Sequence, residues 1–187
     1  AEGHEVLCVD NMGAESNEKF HWNRRAQNHE IDIRALKPHM LDGVDYVFHM
    51  AAESRIMQTM NNPVRAAETN VVGTANVLQC AREAGCRRVV YSSTSSIYGG
   101  NPSPNVETQS PDCLNPYSAS KHAGELFCRN YTELFGLETV TLRYVNVYGD
   151  RAPEKGQYAP VTAIFARQKR NGEPLTVVGD GLQRRDF

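Results

Sequence analysis

Tyr117 and Lys121 stand four residues apart, a spacing that places two side chains on one face of a helix. An ammonium beside a phenol favours the phenolate and lowers its pKa. A tyrosine tuned in this way can exchange a proton with a substrate hydroxyl near neutral pH. Read alone, the pair also fits a solvated helix surface. Its position separates the two readings, because a single proline-rich stretch (Gly99–Pro116) connects it to the hydroxyl run Ser92-Ser93-Thr94-Ser95-Ser96. Clustered hydroxyls can hold a substrate hydroxyl as donors and acceptors together. They also suit an ordinary polar turn.

Three further candidates follow short apolar runs. Asp10 comes after HEVLCV. An acid there can accept hydrogen bonds from both ribose hydroxyls of an adenine nucleotide and would repel a 2′-phosphate, favouring NAD over NADP. It could equally cap a turn with Asn11. His49-Met50-Ala51-Ala52 closes a second run, and its small alanines would let the backbone approach a flat ligand or simply pack. His49 is read as a core histidine bonded to backbone rather than a catalytic one. Asn146 closes LRYVN and could read a carbonyl or serve a turn.

These positions call for elements that bring them to one edge. His4–Val9, Glu30–Ile33, Asp45–Met50, Arg88–Tyr91, Glu138–Tyr144 and Leu175–Val178 are predicted strands. The apolar character of DYVFHM suits burial on both faces. A long helix is predicted from Asn62-Pro63 to Gly85, a second over Tyr117–Phe135 ending at Gly136, and a third over Val161–Arg170. Strands alternating with helices indicate a parallel sheet covered by helices on both faces, an α/β fold. Ligands of such sheets bind at the carboxyl ends of the strands, where the candidates fall.

The chain has 187 residues, a formal net charge of −2, 40% apolar and 22% charged residues. This composition excludes collagen-like and strongly disordered classes. The lack of a long apolar run excludes a transmembrane helix, and near-neutral charge disfavours nucleic acid as a partner. Cys8, Cys80, Cys86, Cys113 and Cys128 include no C-x-x-C pair, so free thiols are expected, with neither a disulfide framework nor a metal site. No signal peptide is visible and the cytoplasm is the default compartment. The opening AEGHEVLCVD reads as a chain already inside a helix with Gly3 at its C-cap, and both ends read as cut.

Taken in order, these segments resemble the extended short-chain dehydrogenase/reductase family, in particular its NAD-dependent nucleotide-sugar epimerases. VLCVDN is similar to the ribose-binding end of the family's second strand, and Asp32-Ile33 to its adenine-side contact. FHMAAES is similar to the strand beside the nicotinamide ribose, and ETNVVGT to the helix carrying a family asparagine, here Asn70. VVYSSTSSIYG followed by NPYSASKHAGE is the most specific match. LRYVNVYG resembles the strand with a cofactor-side Tyr144 and a substrate-side Asn146. GEPLTVVGDGLQRRDF resembles the substrate-phosphate segment, with Arg185 at the matching arginine.

The resemblance implies a Rossmann-like doubly wound parallel sheet, with an NAD-binding domain over 1–150 and the start of a substrate-binding region over 151–187. The first strand, its glycine-rich phosphate turn and most of the substrate lobe would lie outside the chain, which alone would bind NAD poorly. It implies catalytic roles for Thr94, Tyr117 and Lys121. Asp10, Asn11, Asp32, Ile33, Ala51, Ala52, Asn70, Ser92, Tyr117, Lys121 and Tyr144 would contact NAD. Thr94, Asn146 and Arg185 would meet the substrate, a nucleotide sugar of the UDP-linked kind. The implied reaction is inversion at C4 through a 4-keto sugar. Family dehydratases carry a carboxylate after the bridging threonine, as decarboxylases tend to, whereas this chain has Ser95 and Ser96; Glu53-Ser54 is nearer a dehydratase stretch. A dehydratase, a decarboxylase and a non-catalytic NAD-binding regulator are the alternatives. The resemblance further implies a homodimer through Pro63–Ala84 and Tyr117–Phe135, with no membrane or nucleic-acid partner.

Overall fold

The structure is a computed structural model and describes residues 3–14, 22–150, 152–154 and 159–187. The helix expected ahead of Gly3 lies outside the described residues. Two compact units are present, the first over Ala1–Asn11 and Arg25–Tyr144, the second over Met12–Arg24 and Val145–Phe187.

In the first unit, β1 (Leu7–Asp10) pairs in parallel with β2 (Gln27–Glu30), and Asp10 stands opposite Glu30. The sequence places the second strand at Glu30–Ile33; the ladder instead ends at Glu30. The reason is local. Asp32 caps a 3-10 turn over Ile33–Ala35, accepting the Arg34 backbone N–H at 2.8 Å, and Ile33 turns into the core.

The remaining strands of this unit, β3 (Tyr46–His49), β4 (Arg88–Thr94) and β5 (Glu138–Tyr144), form a second parallel sheet in the order β3-β4-β5. β4 was expected to end at Tyr91, but it continues to Thr94. Its neighbour β5 extends the ladder, pairing Ser92 with Leu142, Ser93 with Arg143 and Thr94 with Tyr144. A polar strand end is held because its backbone groups are paired.

The region predicted as one helix from Pro63 to Gly85 is α2 (Pro63–Ala67), a π-helical segment (Glu68–Gly73) and α3 (Thr74–Glu83). Asn62 accepts the Arg65 N–H at 3.0 Å, and the left-handed Gly85 follows α3. A short α1 (Ile56–Asn61) precedes it, without an expectation from sequence. α4 (Pro116–Phe135) begins with a capping box, in which Asn115 accepts the Ser118 N–H at 2.9 Å and Ser118 Oγ accepts the Asn115 N–H at 3.3 Å.

Helices α3 and α4 pack on one face of the three-stranded sheet. Leu78 and Ala81 of α3, Val89 and Tyr91 of β4, and Cys128 of α4 share a core cluster, all at most 1% exposed. Burial of a side chain such as Leu78 contributes about 1.5–3 kcal/mol. The alternating positions on the other face include Phe48, at 65% exposure, with Val140, Leu142 and Tyr144. Burial of DYVFHM on both faces is therefore not what the described residues show.

In the second unit, α5 (Val161–Asn171) ends at the left-handed Gly172. The strand expected at Leu175–Val178 does not form. Thr176 N–H donates to Gln168 Oε1 at 3.2 Å, a side-chain partner in place of a ladder. No described helix is long and apolar enough to cross a membrane. All five cysteines are free, with Cys80, Cys86 and Cys128 buried, and no metal-ligating cluster occurs among the described residues.

Candidate active site

Four strand ends of the first unit carry the expected residues. Asp10 ends β1, Ala51 and Ala52 follow β3, Thr94 ends β4 and Tyr144 ends β5. Since the strands of each sheet run parallel, these lie at carboxyl edges, where α/β sheets take their ligands.

The adenine-side candidates come together across 21 residues of sequence. Asn11 Nδ2 donates to Asp32 Oδ2 at 3.2 Å. Asp32 is also gripped by Arg34, whose Nε and Nη2 donate to it at 2.9 Å each. The Arg34 hydrogen bonds hold the Asp32 carboxyl well below the usual range. Ile33 is buried, and a Cβ on Gly73 would run into its side chain, so glycine lets this turn close on the π-helical segment.

That segment carries Asn70, 1% exposed. Its amide donates to Glu53 O at 3.0 Å and to Ser120 Oγ at 2.9 Å, and accepts the Glu53 N–H at 2.8 Å. Ser120 Oγ in turn donates to Tyr117 O at 2.8 Å. Asn70 thus ties the stretch after β3 to the first turn of α4. Both of its amide hydrogens are used inside the protein, and they hold this backbone in place.

Tyr117 and Lys121 lie one turn apart on α4, as the spacing predicts. The sequence expectation that Lys121 lowers the Tyr117 phenol is not met. Burial pushes Tyr117 up, while a hydrogen bond with Thr94 and the Arg55 charge pull the other way without reversing it. The Lys121 ammonium instead lies over the Tyr91 ring, 4.2 Å from its centroid. Lys121 is 2% exposed, and burial lowers it to about 8, opposed by nearby Cys128 and Glu125.

Thr94 is buried and its Oγ1 accepts the Ser96 N–H at 3.1 Å. Ser92 is half-buried and alternates with Ser93, so the two hydroxyls fall on opposite faces of β4. Ser93 Oγ donates to Glu125 at 2.6 Å. Glu125 also accepts from Arg143 Nε at 2.9 Å and Nη2 at 2.7 Å. Burial alone would raise the Glu125 carboxyl, but these hydrogen bonds outweigh it and hold the acid below its ordinary value. The cluster joins α4, β4 and β5.

Sequence reasoning missed Tyr91, Ser120, Glu125 and Arg143 as builders of this region, and named Ser93 only within the hydroxyl run. Glu125 stands one helical turn beyond Lys121, a signal that was available. The others needed the strand register. His49 is a core residue, as expected. Its partner is not backbone: Nε2 meets Thr74 Oγ1 at 2.8 Å, and burial lowers the ring to about 3.

In the second unit, Asn146 and the Arg185 segment meet although 40 residues separate the bonded pair. Asn146 Nδ2 and backbone N–H both donate to Asp186 O, at 2.8 and 3.1 Å. Arg185 is exposed and donates to Arg184 O.

Comparison with known proteins decides the family. Residues 1–187 match the family model described as the NAD dependent epimerase/dehydratase family. The chain belongs to this family. Among similar curated proteins of the family is the UDP-glucose 4-epimerase of Mycolicibacterium smegmatis, 32% identical over all of this chain and 62% of its own length. Another is the UDP-N-acetyl-alpha-D-glucosaminuronate decarboxylase of Bacillus cytotoxicus, 34% identical over 99% of this chain and 60% of its own. Among solved structures, the UDP-N-acetylglucosamine 4-epimerase from Methanobrevibacter ruminantium, in complex with UDP-N-acetylmuramic acid, has a TM-score of 0.88 and 31% identity. That match covers 98% of this chain and 60% of the other. The chain therefore spans about three fifths of the length of these relatives. The epimerase/dehydratase fold is Rossmann-like α/β, and β1 to β5 with α1 to α4 are its parallel strands and helices.

Proposed function

We propose that this chain is the NAD-binding and proton-transfer part of a nucleotide-sugar 4-epimerase acting on a UDP-hexose or UDP-uronate. The observation that carries the reading is the placing of Thr94 at the end of β4 beside Tyr117 and Lys121 in the first turns of α4, with Thr94 close enough to the Tyr117 phenol to oppose the effect of its burial. NAD fits the residues present. Asp10 and Asn11 lie exposed at one carboxyl edge, the small Ala51 and Ala52 follow β3 at another, and Tyr144 is partly exposed at a third. Asp32, Ile33, Asn70 and Ser92 complete the proposed NAD set.

Bound NAD supplies the hydride acceptor and donor. Tyr117 Oη holds and returns the proton of the sugar 4-hydroxyl, and Thr94 Oγ1 shares that hydroxyl as donor and acceptor. Lys121 is assigned to hydrogen bonds with the nicotinamide ribose, its ammonium being a donor only. Burial excludes water from Lys121, and Tyr117 is half-buried. Asn146 and Arg185 are assigned to the substrate, a guanidinium being suited to a diphosphate. Residues 1–150 are assigned to the NAD-binding domain and 151–187 to the substrate side. A homodimer through the long helices is part of the same reading, supported by exposed Val64, Val72 and Leu126 on those elements. A cytoplasmic setting is favoured by the free thiols.

The test offers purified enzyme a panel of UDP-sugars and follows products by proton NMR. Interconversion of C4 epimers is expected. Release of CO₂ would make it a decarboxylase, as in one relative, and accumulation of a 4-keto product a dehydratase. NAD binding without turnover would leave the regulator.

A further inference from the structure

Lys121 is held in an unusual way, by one tyrosine that the chemistry above does not use. Tyr91 lies in β4, fully buried, three residues before Thr94. Its hydroxyl donates to the backbone carbonyl of Lys121 at 3.3 Å. The Lys121 side chain folds back so that its ammonium lies 4.2 Å from the centroid of the same ring. Both ends of one lysine are therefore fixed by one aromatic side chain.

The surroundings are built to admit that ring. Gly124 faces it from the next turn of α4, and a Cβ there would collide with the Tyr91 hydroxyl and ring carbons. His49 packs near Tyr91 with centroids 5.5 Å apart, its Nε2 meeting Thr74 Oγ1 at 2.8 Å. With His49 kept neutral by burial, the charge facing the π system is that of Lys121. A desolvated cation over an aromatic face is attracted by the ring quadrupole.

We propose that Tyr91 is a positioning residue for Lys121, setting the direction of its ammonium through the cation–π contact and the height of its helix turn through the hydroxyl. Gly124 is the clearance this arrangement requires. The inference rests on the epimerase reading for its catalytic consequence and on geometry alone for its structural part.

Two readouts keep these parts separate. In the enzyme labelled with [¹³C]lysine, the ε-methylene protons of Lys121, assigned through Lys121→Arg, resonate upfield of the other lysines because of the ring current. Tyr91→Phe keeps that upfield position and Tyr91→Leu loses it. Turnover is then measured with the sugar nucleotide found to be the substrate. Tyr91→Leu lowers kcat by about tenfold, the order expected for a desolvated cation–π contact, with KM changed by less than about twofold. Tyr91→Phe retains most of kcat. Tyr91→Met serves in place of Leu should that variant not fold. An ordinary chemical shift for Lys121 in the parent protein overturns the geometry. Equal kcat for the Phe and Leu (or Met) variants overturns the positioning role. A parent enzyme that shows the ring-current shift but no epimerisation overturns the catalytic consequence and the epimerase reading, leaving the geometry intact.

Discussion

The two faces of the three-stranded sheet are built from the same strands yet have opposite fates. On one face, Val89, Tyr91 and Ser93 lie under α3 and α4, each at most 4% exposed. On the other, one residue along, Phe48, Val140, Leu142 and Tyr144 stand between 37% and 65% exposed. The covered face is where polar groups are numerous and several are paired: Ser93 with Glu125, Glu125 with Arg143, His49 with Thr74, Lys121 with Tyr91. A buried polar group left without a partner is costly, so the covered face specifies positions that the open face leaves free.

The sharpest way to break the comparison is through the helix that covers the face. Tyr117→Phe is expected to lower turnover by about 10²–10⁴-fold, the usual range for removal of a general acid or base, with little change in unfolding midpoint. A variant with parental turnover would detach the chemistry from α4.

Stability comes next. Leu78→Ala empties a fully buried position and should cost about 2–5 kcal/mol in denaturant unfolding. Glu125→Gln weakens charged hydrogen bonds across α4, β4 and β5 and should cost about 1.5–3 kcal/mol. Loss of activity without loss of stability there would argue for a role in chemistry rather than in holding the helix.

His49 adds a pH dependence to the covered face. Its folded value is lowered from 6.5 to about 3. Between these values the unfolded chain binds a proton that the folded one refuses. Stability therefore rises with pH across that window and is lost as pH falls from about 6.5 towards 3, at up to about 1.4 kcal/mol per unit. His49→Gln should flatten that portion of the profile, read as unfolding free energy against pH. A slope left intact would mean that another group carries it.

The smallest effect is expected on the open face. Phe48→Ser should change stability by no more than about 0.5 kcal/mol. A cost well above that would mean that this face is covered in solution, and the contrast between the faces would fall.

How much was legible follows from what each feature depends on. β5, α4 and the start of α2 were read nearly to the residue, because proline, an asparagine cap, a closing glycine and β-branched runs act locally. The extension of β4 to Thr94 was not, since SSTSS has no strand pattern of its own and is held by pairing with β5. The shift of β2 came from Asp32 capping its own turn, and Leu175–Val178 had strand composition but found no ladder.

The same division holds for chemistry. Sequence alone determined the order Thr94, Tyr117, Lys121 and the turn that places the last two on one face, because helix periodicity is a local property. Tertiary structure alone decided that the Lys121 ammonium lies on Tyr91, that Asn70 spends its amide on Glu53 and Ser120, and that Glu125 clasps Ser93 and Arg143. Each joins residues 17 to 50 positions apart. Their partnership depends on strand register and on burial, neither of which a local pattern can fix.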